Sequence, residues 1–129
     1  MKNMQISNGV KTKNLETGRL GEAIAKKYLE DNGYHVVELN YRTKYAEIDL
    51  IAYDKDVLVF IEVRTKIGEQ FGTPEETINK NKISRLIRNA EAYIAIKNCQ
   101  KNCRIDALCV VLDKNRKVER LNHYKNITL

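Results

Sequence analysis

Two strongly apolar segments separated by a short polar turn constrain the fold of this 129-residue chain more than any other feature. Residues 47–53 read Glu-Ile-Asp-Leu-Ile-Ala-Tyr, and residues 57–66 read Val-Leu-Val-Phe-Ile-Glu-Val-Arg-Thr-Lys. Their β-branched and aromatic side chains are typical of paired strands in a sheet interior. Asp49 and Glu62 stand where further Val or Ile would be expected. A buried carboxylate is costly unless it is paired or bound to a cation, so the pattern indicates a charged site within the sheet.

The register of this hairpin decides whether the two carboxylates meet. Side chains alternate along a strand, so an even loop of two or four residues centred on residues 55–56 places Asp49 opposite Glu62. The same register places Glu47 opposite Arg64. A three-residue loop without a bulge would put the carboxylates on opposite faces. A metal site on this hairpin therefore requires the even register or a compensating bulge.

Two carboxylates about 5 Å apart at Cβ repel each other unless a cation lies between them. Mg²⁺ (or Mn²⁺) suits such a pair, because Mg²⁺ takes one or two carboxylates and accepts phosphate oxygens. A bound ion of this kind activates water and stabilises charge on an attacked phosphate, and Arg64 and Lys66 follow closely in the chain. The alternative is structural: Glu47 pairs with Arg64, Asp49 caps or pairs locally, and Glu62 faces solvent.

Length and hydropathy indicate one globular domain. The chain can bury a core but is too short for two ordinary domains. No apolar stretch approaches the roughly 20 residues that span a bilayer, and the N-terminus lacks the apolar core of a signal peptide. We therefore expect a cytoplasmic protein without a membrane partner. We expect a disordered tail at residues 1–14 and a single domain at residues 15–129.

Charge and cysteine content narrow the function classes only in part. A net charge of +6 is compatible with a nucleic-acid partner, and it equally aids solubility. Cys99, Cys103 and Cys109 are odd in number, which disfavours a disulfide framework. No histidine or further cysteine stands at zinc-finger spacing from them. Reduced thiols are therefore expected.

Hydrophobic periodicity predicts the order helix, three strands, helix, two strands. A long helix between the third and fourth strands requires a crossover, and hence a parallel pair within a mixed sheet. An α/β fold with helices on the faces of the sheet follows. The predicted helices run from a cap at Thr17 to about Asn32, stopped by Gly33, and from Glu75 or Asn79 to Lys97; the predicted strands cover residues 34–40, 47–53, 57–64, 104–112 and 118–123.

An ordered set of motif residues extends through most of the chain, from about Gly18 to Val111. By this set the chain resembles the YraN-like bacterial family. It also resembles the restriction-endonuclease-like, or PD-(D/E)xK, superfamily, whose motif is an acid, a strand-ending Asp and then Glu-x-Lys. The matching residues are Gly21-Glu22, Ala25, Tyr28-Leu29, Gly33-Tyr34, Asn40-Tyr41-Arg42, residues 47–52, residues 59–64, Phe71-Gly72, Pro74, Lys82, Ala90 and Arg104-Ile105-Asp106.

The resemblance implies a restriction-endonuclease-like mixed β-sheet of about five strands flanked by helices. It also implies a nuclease-type site similar to that of archaeal Holliday-junction resolvases. By position, Asp49 and Glu62 would be metal ligands, and Glu22 would be an acidic neighbour acting directly or through water. Spacing alone favours an exposed helix residue at Glu22 instead.

Arg64 departs from the superfamily pattern, which usually has Lys at this position. Arginine stays protonated at any ordinary pH and cannot act as a base, but it can bind a phosphate with two parallel donors and stabilise negative charge. Catalytic competence is therefore open, although Asp49, Glu62, Glu22 and Arg64 remain the candidate catalytic set. Lys66 and Lys82 are candidate substitutes for the missing lysine; the alternative for each is an ordinary solvated side chain.

The expected partner is nucleic acid, specifically DNA, bound by a basic rim. Our first hypothesis is a Mg²⁺-dependent endonuclease that hydrolyses phosphodiester bonds. The second is a non-catalytic nucleic-acid-binding module that keeps the nuclease fold, and the third is a protein-interaction role with a structural acidic cluster. A homodimer would fit the first hypothesis, since two strands need two sites. The candidate DNA contacts are Arg42, Lys44, Lys66, Lys82 and Arg85; the alternative is a solvated charged face.

Overall fold

Five strands form one mixed sheet, and each of its faces carries a helix. The computed structural model describes the backbone of residues 2–128 and the side chains of residues 14–128. The elements are α1 (Lys2–Asp31), β1 (His35–Arg42), β2 (Glu47–Asp54), β3 (Val57–Ile67), a short 3₁₀ helix (Glu75–Thr77), α2 (Lys80–Lys97), β4 (Cys103–Leu112) and β5 (Val118–Tyr124).

The strands lie in the order in which they occur in the chain, β1-β2-β3-β4-β5. All neighbours are antiparallel except β3 and β4, which are parallel and are joined through α2. This confirms the predicted α/β fold, with a mixed five-stranded sheet and a helical crossover between the third and fourth strands. No helix in residues 2–128 is long and apolar enough to cross a membrane.

Both faces of the central strands are covered, which explains why β2 and β3 read as nearly continuous apolar runs. On one face, Ala25 and Leu29 of α1 pack against Ile61 and its neighbours. On the other, α2 packs on the sheet through Leu86, Ala90 and Tyr93. The ring of Tyr93 meets Phe60 edge-on, with centroids 5.5 Å apart. The sheet interior is therefore dry on both sides of the hairpin that carries the acidic residues.

The hairpin has the even register that a paired-carboxylate site requires. Asp54 pairs with Val57, so the loop holds only Lys55 and Asp56, and Lys55 takes a positive φ of 55°. Backbone pairing continues in step from there along the two strands. The even loop that a metal site on this hairpin requires is therefore present, and the three-residue alternative is excluded.

Helix boundaries agree with the sequence except at the start of α1. Gly33 has the expected positive φ of 86°, and Asn79 caps α2 by accepting a hydrogen bond from the Lys82 amide. α1 begins at Lys2, so the predicted cap Thr17 lies inside it, where its side chain packs into the interior. A disordered tail is expected at residues 1–14. The side chains of residues 1–13 lie outside the described part of the chain, so the disorder of this tail stays a prediction.

Candidate active site

Asp49 and Glu62 meet where the backbone pairing of β2 and β3 stops. The last backbone pair is Leu50 with Ile61, and the next step of the register sets Asp49 against Glu62. The Asp49 side chain hydrogen-bonds across to β3 there, because its Oδ2 accepts from the Val63 amide at 2.9 Å. This contact locks the aspartate beside the glutamate at the strand end.

The environment of Asp49 favours its protonated form. Burial raises its pKa to about 8, and the neighbouring charge of Glu62 and a hydrogen bond to that carboxylate act in the same direction. The Val63 amide opposes the shift, and Glu22 adds to it. At neutral pH the metal-free pair therefore holds one proton, as expected for two carboxylates that share a buried site.

Glu62 is almost fully buried, with 6% of its surface exposed. Its Oε2 lies 2.9 Å from Arg64 Nη2 and 3.1 Å from Lys82 Nζ. Arg64 Nε is buried and has no hydrogen-bond partner in the part of the chain that the structure describes. The alternative in which Glu62 faces solvent is therefore wrong.

Glu47 does not pair with Arg64 either. Its carboxylate contacts Arg42, its cross-strand partner on β1, at the protein surface. Arg64 is turned to Glu62 instead. The structural alternative from spacing therefore fails for both residues.

Glu22 approaches the pair because α1 lies very close to β3. A Cβ added at Gly21 would fall 1.7 Å from Thr65 Oγ1, so only glycine permits this contact. Burial raises the pKa of Glu22, a hydrogen bond from Asn40 lowers it, and the charge of Glu62 raises it further. Glu22 is thus electrostatically coupled to the site, while its role as a metal ligand stays a prediction.

These side chains line one open cleft of about 870 Å³. Carboxylate side chains line this cleft together with cationic side chains from the β1–β2 loop, β3 and α2. The cationic side chains give the cleft a basic rim. Lys66 lies outside the lining, and its ammonium is near Gly72. The charged lining residues are Glu22, Arg42, Lys44, Glu47, Asp49, Glu62, Arg64, Lys82, Arg85 and Arg88.

The chemistry of Asp49 and Glu62 fits a divalent cation. No three His, Cys, Asp or Glu side chains within residues 14–128 converge into a ready metal cluster. Mg²⁺ needs only one or two carboxylates, however, because it keeps several waters and binds phosphate oxygens. Loss of the Asp49 proton would leave a half-buried carboxylate next to the buried Glu62, and a cation reverses their repulsion.

Two supporting asparagines were not assigned roles from the sequence. Asn40 takes a positive φ of 49° within β1 and hydrogen-bonds Glu22. Asn89 of α2 donates to the Glu47 carbonyl at 2.9 Å, which ties the helix to the start of β2. Asparagine tolerates the left-handed conformation. Asn40 belongs to the motif set given above but received no role there, and no sequence signal marks Asn89.

His123, which had no assigned partner, belongs to a buried polar network behind the site. Its Nε2 lies 2.8 Å from Asp106 Oδ2, and the Tyr28 hydroxyl lies 3.1 Å from its Nδ1. Arg104 binds both Asp106 and Asp54. The partners come from α1, β2, β4 and β5, and so they could not be found from spacing.

Comparison with known proteins places this site in a family. Residues 21–110 match the profile of the uncharacterised protein family UPF0102. A UPF0102 protein of Alkaliphilus metalliredigens is 42% identical over 107 residues, which cover 82% of this chain and 94% of that protein. A UPF0102 protein of Pelotomaculum thermopropionicum is 40% identical over 110 residues, or 84% of this chain and 92% of that protein. The YraN-like resemblance is confirmed, and the chain belongs to the UPF0102 family.

Proposed function

We propose that this protein is a metal-dependent endonuclease that hydrolyses phosphodiester bonds in DNA. The observation that carries the proposal is the pairing of half-buried Asp49 with buried Glu62 on the floor of a cleft with a basic rim. A strongly perturbed carboxylate in a cleft is typical of functional sites. The two carboxylates would hold Mg²⁺ or Mn²⁺, which supplies an activated water and charge stabilisation at the attacked phosphate.

The rim would bind the DNA backbone. Arg42, Lys44, Arg85 and Arg88 line the cleft and supply charge that phosphates attract. Tyr45, on the β1–β2 loop, is 69% exposed and presents a ring on which a base could stack. These contacts would hold a strand over the acidic floor.

Arg64 would stabilise negative charge on the phosphate. Its guanidinium already lies beside Glu62, and its side chain, which lines the cleft, is 31% exposed. A guanidinium matches phosphate geometry with two parallel donors, but it does not give up its proton at ordinary pH. Arg64 would therefore bind the phosphate and would not act as a base.

A second function, non-catalytic binding of nucleic acid, is favoured by the two cations on Glu62. Arg64 and Lys82 both contact Oε2, one of the two oxygens through which Glu62 could hold a metal, and together they already neutralise its charge. A protein that had lost catalysis while keeping the fold would be stable in this arrangement. Assembly as a homodimer remains a prediction under either function.

The test is cleavage of single-stranded, duplex and branched DNA by the purified protein, with and without Mg²⁺ or Mn²⁺. We expect metal-dependent cleavage that is lost in Glu62→Ala and Asp49→Asn. Glu91→Ala is the matched control, because Glu91 is an exposed acid of α2 outside the cleft lining. Cleavage that persists in Glu62→Ala would indicate a contaminant and contradict the proposal. Salt-dependent binding without any cleavage would support the second function.

A further inference from the structure

Glu62 has two cationic partners in the metal-free protein. A single oxygen, Oε2, accepts from Arg64 on its own strand and from Lys82 on α2. A carboxylate with 6% exposure cannot be left unpaired without a large penalty. A divalent cation that binds through Oε2 must therefore displace one of these two side chains, and one that binds through the other oxygen must still share the carboxylate with both.

The charge balance of the cleft floor makes that exchange depend on an anion. When Asp49 and Glu62 are both ionised, Arg64 and Lys82 match them in number. A divalent cation then adds positive charge, which Glu22 offsets only in part. Phosphate groups are the natural source of the remaining negative charge, because the rim above the floor is itself basic.

Lys82 is the counter-ion that is free to move. It makes one contact to Glu62 through a flexible four-carbon stem, and its side chain is 20% exposed. Arg64 is two residues from Glu62 on the same strand and stays close whatever its rotamer. Lys82 lies on the cleft side of α2 together with Arg85, so a short swing of its stem would bring the ammonium to the rim.

We propose that Lys82 is an exchangeable counter-ion that couples binding of the divalent cation to binding of a phosphate backbone. In the metal-free protein Lys82 neutralises Glu62. When a phosphate backbone enters the cleft, Lys82 transfers to a phosphate oxygen and Glu62 becomes available to the cation. The inference rests on the metal site proposed above and adds the coupling. By linkage, each ligand tightens the other by the same factor.

The experiment measures Mn²⁺ binding by calorimetry, with and without a duplex whose phosphorothioate linkages resist hydrolysis. Glu62→Gln with the same duplex gives the Mn²⁺ that is bound by DNA alone. Fluorescence anisotropy of the labelled duplex, with and without Mn²⁺, measures the reciprocal effect. Neither readout depends on cleavage.

We expect the duplex to tighten Mn²⁺ binding to the unmodified protein by about tenfold or more. Lys82→Gln should bind Mn²⁺ about tenfold more tightly than the unmodified protein without DNA, and the duplex should then add less than about threefold. Lys82→Met, which keeps the apolar stem, is the second variant if the glutamine form does not fold. Lys80→Gln is the control of equal charge, since Lys80 is exposed and lies outside the described cleft lining.

Mn²⁺ affinity that is indifferent to the duplex, or no tighter in the Lys82 variants, would overturn the coupling. If Glu62-dependent cleavage were nevertheless observed, the endonuclease proposal would stand alone. If the coupling were observed without cleavage, the inference about Lys82 would stand and the endonuclease proposal would fail. Lys82 would then be the exchangeable counter-ion of a non-catalytic binding protein. Absence of Mn²⁺ binding in every variant would overturn both the metal site and the inference.

Discussion

Asp49 is stable in its half-buried place beside Glu62 only while it keeps its proton or gains a cation. The folded protein holds its pKa near 8 through burial and the charge of Glu62, whereas its ordinary value is 3.8. The ionised form is therefore disfavoured by the fold itself. A residue in this state is better explained by a ligand that favours ionisation than by a contribution to stability.

Asp49 makes the metal-free protein lose stability as pH rises. Between about pH 4 and pH 8 the folded protein retains a proton that the unfolded chain has released, so the free energy of unfolding falls through this window. The loss attributable to this residue is on the order of a few kcal/mol. Urea unfolding of the unmodified protein and Asp49→Asn, in EDTA at pH 5 and pH 8, measures it.

Asp49→Asn should remove most of this decline, because an amide does not ionise and can still accept from the Val63 amide. Asp56→Asn is the control, since Asp56 is exposed in the β2–β3 turn. Equal pH dependence in Asp49→Asn and the unmodified protein would show that Asp49 is already ionised at neutral pH.

At the scale of elements, the distance between α1 and β3 decides where Glu22 lies. Gly21 has no side chain, and the Thr65 side chain fills the space in which a Cβ would lie. Thr65 Oγ1 is itself buried without a hydrogen-bond partner within the described residues, so the contact is tight and dry. Close packing at this point carries the next residue, Glu22, to the cleft.

Gly21→Ala should destabilise the protein by about 1–3 kcal/mol, because overpacking exceeds the gain in helix propensity. We also expect weaker metal-dependent activity, since α1 must move outward with Glu22. Gly18→Ala on the same helix is the matched control: nothing lies within 4 Å of its added Cβ, and it should be neutral or slightly stabilising. Equal thermal unfolding temperatures for the two variants would contradict this account of the α1–β3 contact.

The second element-scale feature is the network that joins β4 to β5. Asp106 is fully buried, yet its pKa lies below its usual value. Burial alone would raise it, but hydrogen bonds from His123, Arg104 and the Asn126 amide outweigh burial. The ionised carboxylate therefore stabilises the fold above its ordinary pKa, and this contribution is lost as pH falls below about 4.

Asp106→Asn should cost about 3–5 kcal/mol at pH 7, because it leaves the charge of Arg104 partly unpaired in the interior. The cost should shrink toward acid pH, where the unmodified protein also loses the carboxylate. Urea unfolding at pH 7 and at a pH well below 4 checks both statements. Asp113→Asn, in the β4–β5 turn, serves as a comparison at a more exposed aspartate. A loss below about 1 kcal/mol would mean that solvent reaches the network.

At the scale of the whole molecule, several of the positive charges lie around one cleft. The chain carries a net charge of +6, and arginines and lysines of the β1–β2 loop and α2 line the cleft above the acidic floor. A basic rim around a small acidic site would attract a polyanion such as DNA, while the carboxylates on the floor of the cleft remain free to bind a metal ion. Net charge alone would not distinguish this from ordinary solubility.

DNA affinity should fall steeply with salt, with a slope of about −0.9 per phosphate contact. Reversing Arg85 and Arg88 to Glu should weaken binding and reduce the slope by about 2. The matched control reverses Lys114 and Lys125, which are exposed and lie outside the described cleft lining. Titrations between about 50 and 200 mM salt compare the two. Equal slopes in both double variants would show that DNA does not enter this cleft.

The sequence by itself determined the α/β fold class and the order of helices and strands, because these depend on local rules: alternation along a strand and helical spacing on α2. It left the register of the β2–β3 hairpin open between an even and an odd loop. The two-residue turn of the structure decides it and places Asp49 opposite Glu62. The local rules did not identify the start of α1, because they read Thr17 as a cap although the helix runs through it.

Only the tertiary structure decided which charges neutralise the pair. Lys82 reaches Glu62 because α2 packs on the sheet, and Glu22 reaches the cleft because Gly21 lies against Thr65. His123 finds its partners for the same reason, since Asp106 and Tyr28 come from other elements. Such partners depend on how helices and strands pack in space, and sequence spacing carries no information about contacts between elements that lie far apart in the chain.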